Sequence, residues 1–165
     1  MLYNLHLASN VYPIGTIYMV KDRYRLCQLR YPNHPHGCPN YGKRPDCPPA
    51  APLLRQRFDI HQPLFLLTVT WSIGKWADHM GELHPEWSER QRYNCLYWQG
   101  KVRKLLREHT EHWLAWHREF EADTCPEAMG LDVDKVMLDS AMVKLEWPPR
   151  KLVRKIAVAG IPKIS

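Results

Sequence analysis

Between Tyr31 and Pro52 this chain can form neither a helix nor a central strand. Seven of its 14 prolines fall there, together with Gly37 and Gly42. Proline fixes φ and has no N–H to donate, so both regular ladders fail across the stretch. A loop of about 20 residues inside a compact domain is uncommon and is usually functional or disordered. Cys38 and Cys47 lie within it and Cys27 stands at its edge. That favours a Cys/Pro-rich loop over 27–52 ordered by a metal ion.

The rest of the chain has the means to fold around such a loop. Its 165 residues suit one domain spanning 1–165, and 7 Trp, 8 Tyr and 3 Phe argue against disorder. The longest apolar run, Leu64 to Trp71, is far shorter than the roughly 18 residues a membrane-spanning helix needs. The N-terminus has no basic start followed by an apolar run and a cleavage site. Five cysteines, an odd number, with no export signal point to a reducing cytoplasm and free thiols.

The coarse order of elements reads as α/β or α+β. Residues 1–26 read as short strands: Ile14–Val20 is rich in β-branched and aromatic residues, and Tyr24–Leu29 partly alternates. Leu64–Thr70 is a continuous apolar run, the pattern of a parallel strand covered on both faces. Ser72 is a candidate N-cap for a helix that His84-Pro85 ends. Ser88-Glu89-Arg90-Gln91 fits a capping box. From there a long amphipathic helix is expected over 88–120. Its stripe is Cys95, Trp98, Val102, Leu105, His109, Trp113, Trp116 and Phe120, in steps of three and four. Pro126 suits the first turn of a further helix, Glu127 to about Met142, with Gly130 as its weak point. Ile156–Ile161 reads as a last buried strand.

Charge is concentrated in the cysteine region. Between Lys21 and Arg57 there are eight basic residues against two acidic ones, which accounts for the whole net charge of +6. Arg30, Lys43, Arg44, Arg55 and Arg57 flank the loop, with Tyr31 and Tyr41 nearby. Basic residues interleaved with aromatics suit a phosphate backbone and stacked bases. Equally, they would balance the protein's own thiolates, since four thiolates on a zinc ion leave a net negative site.

Thiolates are soft ligands that favour iron–sulfur clusters and zinc. The spacing C-x10-C-x8-C is not the paired C-x2-C of a zinc ribbon. The three loop cysteines are the first candidate ligands, and Lys43 and Arg44 are expected to lower their pKa values. A fourth ligand is open. Cys125 precedes a predicted helix, where free N–H groups stabilise a thiolate. Cys95 lies on an apolar stripe, and His34 and His36 are loop histidines. An unfilled position would leave one iron open to a substrate. His109 reads as a hydrogen-bonded core residue, and His112 and His117 as helix-flank residues. The acidic set Asp78, Glu82, Glu86 and Glu89 reads as a solvated face. No Gly-rich phosphate loop, nucleophile elbow or HExxH motif occurs.

The segment Cys38-Pro39-Asn40-Tyr41-Gly42-Lys43, followed by Cys47-Pro48-Pro49, resembles a cysteine-rich, predicted metal-binding family of otherwise unknown function. A second stretch, Pro126-Glu127-Ala128-Met129-Gly130-Leu131-Asp132-Val133 with Trp147 downstream, is similar to the same family. Members often carry an extra ferredoxin-like cysteine cluster before that second stretch, and here only Cys125 stands there. The resemblance therefore implies one metal site. Combined with the residues, it leads to one [4Fe–4S] cluster, with Zn²⁺ as the alternative, on Cys27, Cys38, Cys47 and Cys125. Two classes of function follow. One is an enzyme handling electrons or sulfur on a small molecule or nucleobase. The other is a zinc-stabilised module presenting a basic surface to nucleic acid or an acidic partner.

Overall fold

The computed structural model describes residues 4–30 and 35–164. The elements are β1 (His6–Pro13), α1 (Arg25–Gln28), α2 (Leu54–Arg57), β2 (Leu64–Trp71), α3 (Ile73–Leu83), α4 (Glu89–Arg92), α5 (Cys95–Trp116), β3 (Glu121–Asp123), α6 (Val133–Ala141) and β4 (Val153–Gly160). The strands form one antiparallel sheet in the order β1-β2-β4-β3. With its helices this is an α+β domain.

β2 is the keel of the fold. Side chains alternate across a strand, so a strand with apolar residues at successive positions must be covered on both sides. Leu64 and Leu66, with Ile156 and Val158 of β4, face a core completed by Leu54, Phe58, Met129, Leu131 and α6. Leu67, Val69 and Trp71, with Ala157 and Ala159, face a second core built from α3 and α5. The expected two-sided burial is present, but the strand pairs antiparallel with β1 and β4 rather than parallel. Burial on both faces, not strand direction, produces the continuous apolar run.

Several expected elements move. Within the expected strand region 1–26 the strand is His6–Pro13, while Ile14–Val20 is irregular apart from a single bridge, Met19 to Leu131. Tyr24–Leu29 holds a short helix instead of a strand. Asp22 accepts from the N–H groups of Tyr24 and Arg25, which starts that turn. Ser72 caps α3 as expected, accepting from the Lys75 N–H. The capping box at Ser88 forms too, with the Ser88 N–H donating to Gln91 Oε1 at 2.8 Å.

That box opens only one turn. The expected helix over 88–120 breaks at Tyr93-Asn94 and stops at Trp116. Asn94 takes extended φ/ψ and its side chain accepts from the Leu96 N–H, so it caps a new helix instead of continuing the old one. The buried face is Trp98, Val102, Leu106 and Thr110. Leu105, His109 and Trp113 stand half-buried on its flank, and Cys95 and Trp116 are exposed. Phe120 lies beyond the helix yet still packs on Phe65 and Trp113. After Pro126 the chain makes a turn that ends at Gly130, whose φ is 86°, and α6 begins only at Val133 under the Asp132 cap.

Candidate metal centre

The cysteine loop is held by its own backbone. Cys27 lies in α1, and its carbonyl accepts from the Cys38 N–H at 2.7 Å. Gly37 makes that approach possible. Its φ is 82°, and a β-carbon there would overlap the Cys27 carbonyl oxygen. Three short turns follow: Tyr41 N–H to Cys38 O, Lys43 N–H to Asn40 O, and Cys47 N–H to Arg44 O. A bond from Gly42 N–H to Pro48 O, 2.8 Å, closes the loop on itself. The Cys47 carbonyl accepts from Ala51, and beyond it Ala51 and Leu54 are buried. The loop therefore ends as a plug in the first core.

The segment just after the cysteine loop meets the 126–131 turn in space. The Leu54 N–H donates to the Met129 carbonyl at 3.1 Å, and the Val20 N–H donates to Gly130. Arg23 spans the same junction. One of its terminal nitrogens donates to the carbonyls of Ala51 (2.8 Å), Pro52 (3.3 Å) and Ala128 (2.8 Å). Its other terminal nitrogen donates to the Tyr24 hydroxyl at 2.9 Å. The Tyr24 ring stands edge-on to Tyr41, whose hydroxyl accepts from Gln28. In the sequence Arg23 is one of the eight basic residues between Lys21 and Arg57. Its carbonyl partners lie 28 to 105 positions away, so no local pattern marks it.

Cys27, Cys38, Cys47 and Cys125 are half-buried free thiols. Burial raises the pKa of Cys27, and the charges of Cys38, Cys47 and Glu127 raise it further. Burial raises Cys47 as well, then Asp46 and Cys38, against a smaller lowering by Arg44. The expected lowering by neighbouring cations is thus outweighed, because a thiol crowded by other potential anions resists ionising. Cys125 is also raised, first by burial and then by Asp123, Glu127 and Asp46, with Lys155 opposing. It gains no helix N-terminus, since α6 starts eight residues later. Its N–H instead donates to Asp123 Oδ1 at 2.8 Å.

Cys27, Cys38 and Cys47 therefore share one electrostatic neighbourhood. Cys125 adjoins it through two common neighbours, Glu127 and Asp46. Among the described residues, no three His, Cys, Asp or Glu side chains stand in a group that could hold a metal ion. The fit lies in the donor chemistry alone: soft sulfurs from separate segments, with Cys38 and Cys47 raising Cys27 and Cys38 raising Cys47, an effect that a bound cation would reverse. An open cleft beside Cys38 is lined by His36, Tyr41 and Lys43.

The remaining candidates separate clearly. Cys95 is exposed at the start of α5. Tyr31 and His34 lie outside the described residues, and His36 is exposed. Arg30, Lys43, Arg44 and Arg55 are exposed, whereas Arg57 pairs with Asp123 at 3.1 Å and Glu121 at 3.7 Å. Arg57 thus ties α2 to β3 and is engaged within the fold. His109 Nε2 lies 3.1 Å from the Asn10 carbonyl, the hydrogen-bonded role expected of it. His117 stacks on Trp113 and bonds its carbonyl. Glu89 pairs with Arg150, and Glu82 and Glu86 with His79 and His84.

Comparison with protein-family models, with curated proteins and with solved structures finds no match. The likeness of the two stretches to a metal-binding family therefore rests on the residues quoted for it.

Proposed function

We propose that this protein binds one metal centre through Cys27, Cys38 and Cys47, with Cys125 or an exogenous group completing the site. A [4Fe–4S] cluster is the preferred occupant and zinc the alternative. What supports this reading is that Cys38 is tied to Cys27 backbone to backbone at 2.7 Å and that Cys47 lies in the same proline-stiffened loop, all three thiols being half-buried. Iron–sulfur ligation tolerates irregular cysteine spacing, whereas structural zinc sites favour close pairs. The cluster would supply electron transfer, or a Lewis-acidic iron if one position stays open. The chain's own part is to gather the thiols, limit water around them and supply positive charge.

Anaerobic purification with ultraviolet–visible absorption and metal analysis tests the reading. A brown protein containing iron and sulfide is expected. A colourless protein with one equivalent of zinc ends the iron–sulfur form, and a protein that takes up neither metal ends both. Cys38→Ala is expected to lose the metal. If Cys125→Ala retains it, the fourth position belongs to something other than Cys125.

The exposed Arg30, Lys43, Arg44 and Arg55 support a second reading, in which the metal orders a basic surface for nucleic acid. Affinity would then fall steeply with salt as counterions are released. Undetectable RNA or DNA binding at low salt removes this reading.

A further inference from the structure

We infer that Arg23 is the positioning residue of the metal site, because its guanidinium joins the cysteine loop to the turn that carries Cys125 and Glu127. The inference rests on the metal-centre reading above. Its basis is geometric. One Arg23 nitrogen bonds carbonyls on both sides of the junction: Ala51 and Pro52, just after Cys47, and Ala128, just after Glu127. The other bonds Tyr24, three residues before Cys27. All three segments that bear candidate ligands are thus referred to one planar group.

Arginine is suited to this and lysine is not. The guanidinium offers five donors in a fixed plane, so it holds several carbonyls at set angles. A lysine ammonium keeps the charge but on a flexible stem, without the fork. Charge alone is also a weak explanation, because the oxygens that Arg23 bonds on Ala51, Pro52, Ala128 and Tyr24 are all uncharged. A cation meant only to balance thiolates would not need three carbonyls. The Arg23 guanidinium also lies over the Tyr24 ring, 4.9 Å from its centroid, which fixes the plane further.

The test uses the full chain, stripped of metal and titrated anaerobically with Co²⁺. Thiolate-to-cobalt absorption reports ligation, and thermal unfolding of the metal-free protein is followed alongside. Wild type, Arg23→Lys, Tyr24→Phe and Cys38→Ser are compared. Groups that orient metal ligands typically cost 10–100-fold in affinity when removed, so a weakening of roughly 10–100-fold is expected for Arg23→Lys. Tyr24→Phe, which removes one bond to Arg23, should weaken binding less. Cys38→Ser should abolish the absorption band.

If Arg23→Lys binds Co²⁺ as tightly as wild type while Cys38→Ser does not, Arg23 is not a positioning residue and the metal site stands. If wild type gives no thiolate–cobalt band, the metal site and this inference fall together. Should Arg23→Lys lose cooperative unfolding, Tyr24→Phe decides, and unchanged Co²⁺ affinity in that variant overturns the inference.

Discussion

Gly37 is the residue on which the cysteine loop turns. Its positive φ and its contact with the Cys27 carbonyl leave no room for a side chain. In Gly37→Ala the left-handed conformation alone costs about 1–2 kcal/mol, before the clash is counted. The Cys38 N–H to Cys27 bond is therefore expected to break. Chemical denaturation should show a loss of stability of at least that size, and metal uptake should fall with it. Glu146 supplies the pH-dependent residue. Backbone bonds from Lys151, then Leu152, hold its carboxyl below the usual carboxylate pKa. A lowered folded-state pKa contributes stability above the unfolded value of 4.5 that is lost as pH falls through the folded value. Urea midpoints should drop less between pH 7 and pH 3 in Glu146→Gln than in wild type. An identical drop in both would remove Glu146 from the acid response.

At the scale of the element, α5 separates periodicity from burial. Steps of three and four mark a helix and place Leu105 on its stripe, but the residue that faces the sheet is its neighbour Leu106. Leu106 is 1% exposed, while Leu105 is only half-buried on the flank. Leu106→Ala should cost about 2–5 kcal/mol, and Leu105→Ala clearly less. Equal losses in thermal or chemical unfolding would mean that the helix is rotated from this orientation. The break before α5 carries a similar lesson. Ser88 and Asn94 are both strong caps six residues apart, and each takes its own helix start. The capping box was legible in the sequence; the second cap, Asn94, stands one residue before the stripe opens at Cys95 and is masked by the stronger start signal at Ser88.

At the scale of the whole molecule, the cysteine loop and the core are mechanically one. The cysteine loop ends in Ala51 and Leu54, buried beside Phe58 and the turn at Met129. A ligand that binds the native thiols therefore stabilises the domain and not the loop alone. At a free metal concentration 100 times Kd the gain is about 2.7 kcal/mol. For a chain of this size that corresponds to a rise in Tm of roughly 5–10 °C. Chelator treatment should reverse it, and a Tm indifferent to metal would place the loop outside the cooperative unit.

Local chemistry was readable from the chain by itself. The prolines forbade regular structure over 31–52, the unbroken apolar run of β2 demanded cover on both faces, and Ser72 and Ser88 announced helix starts. The charge surplus around the cysteines was equally plain. Each of these depends on residues within a few positions of one another. Tertiary structure alone decided the rest. Strand direction was one such outcome, because burial on both faces looks the same in parallel and antiparallel sheets. The meeting of the cysteine loop with the 126–131 turn was another. So were the engagement of Arg57 by Asp123 and the clamp made by Arg23, whose farthest partner is 105 positions away. Contacts at that separation are chosen by how the two cores close around the sheet, and no local pattern of residues encodes them.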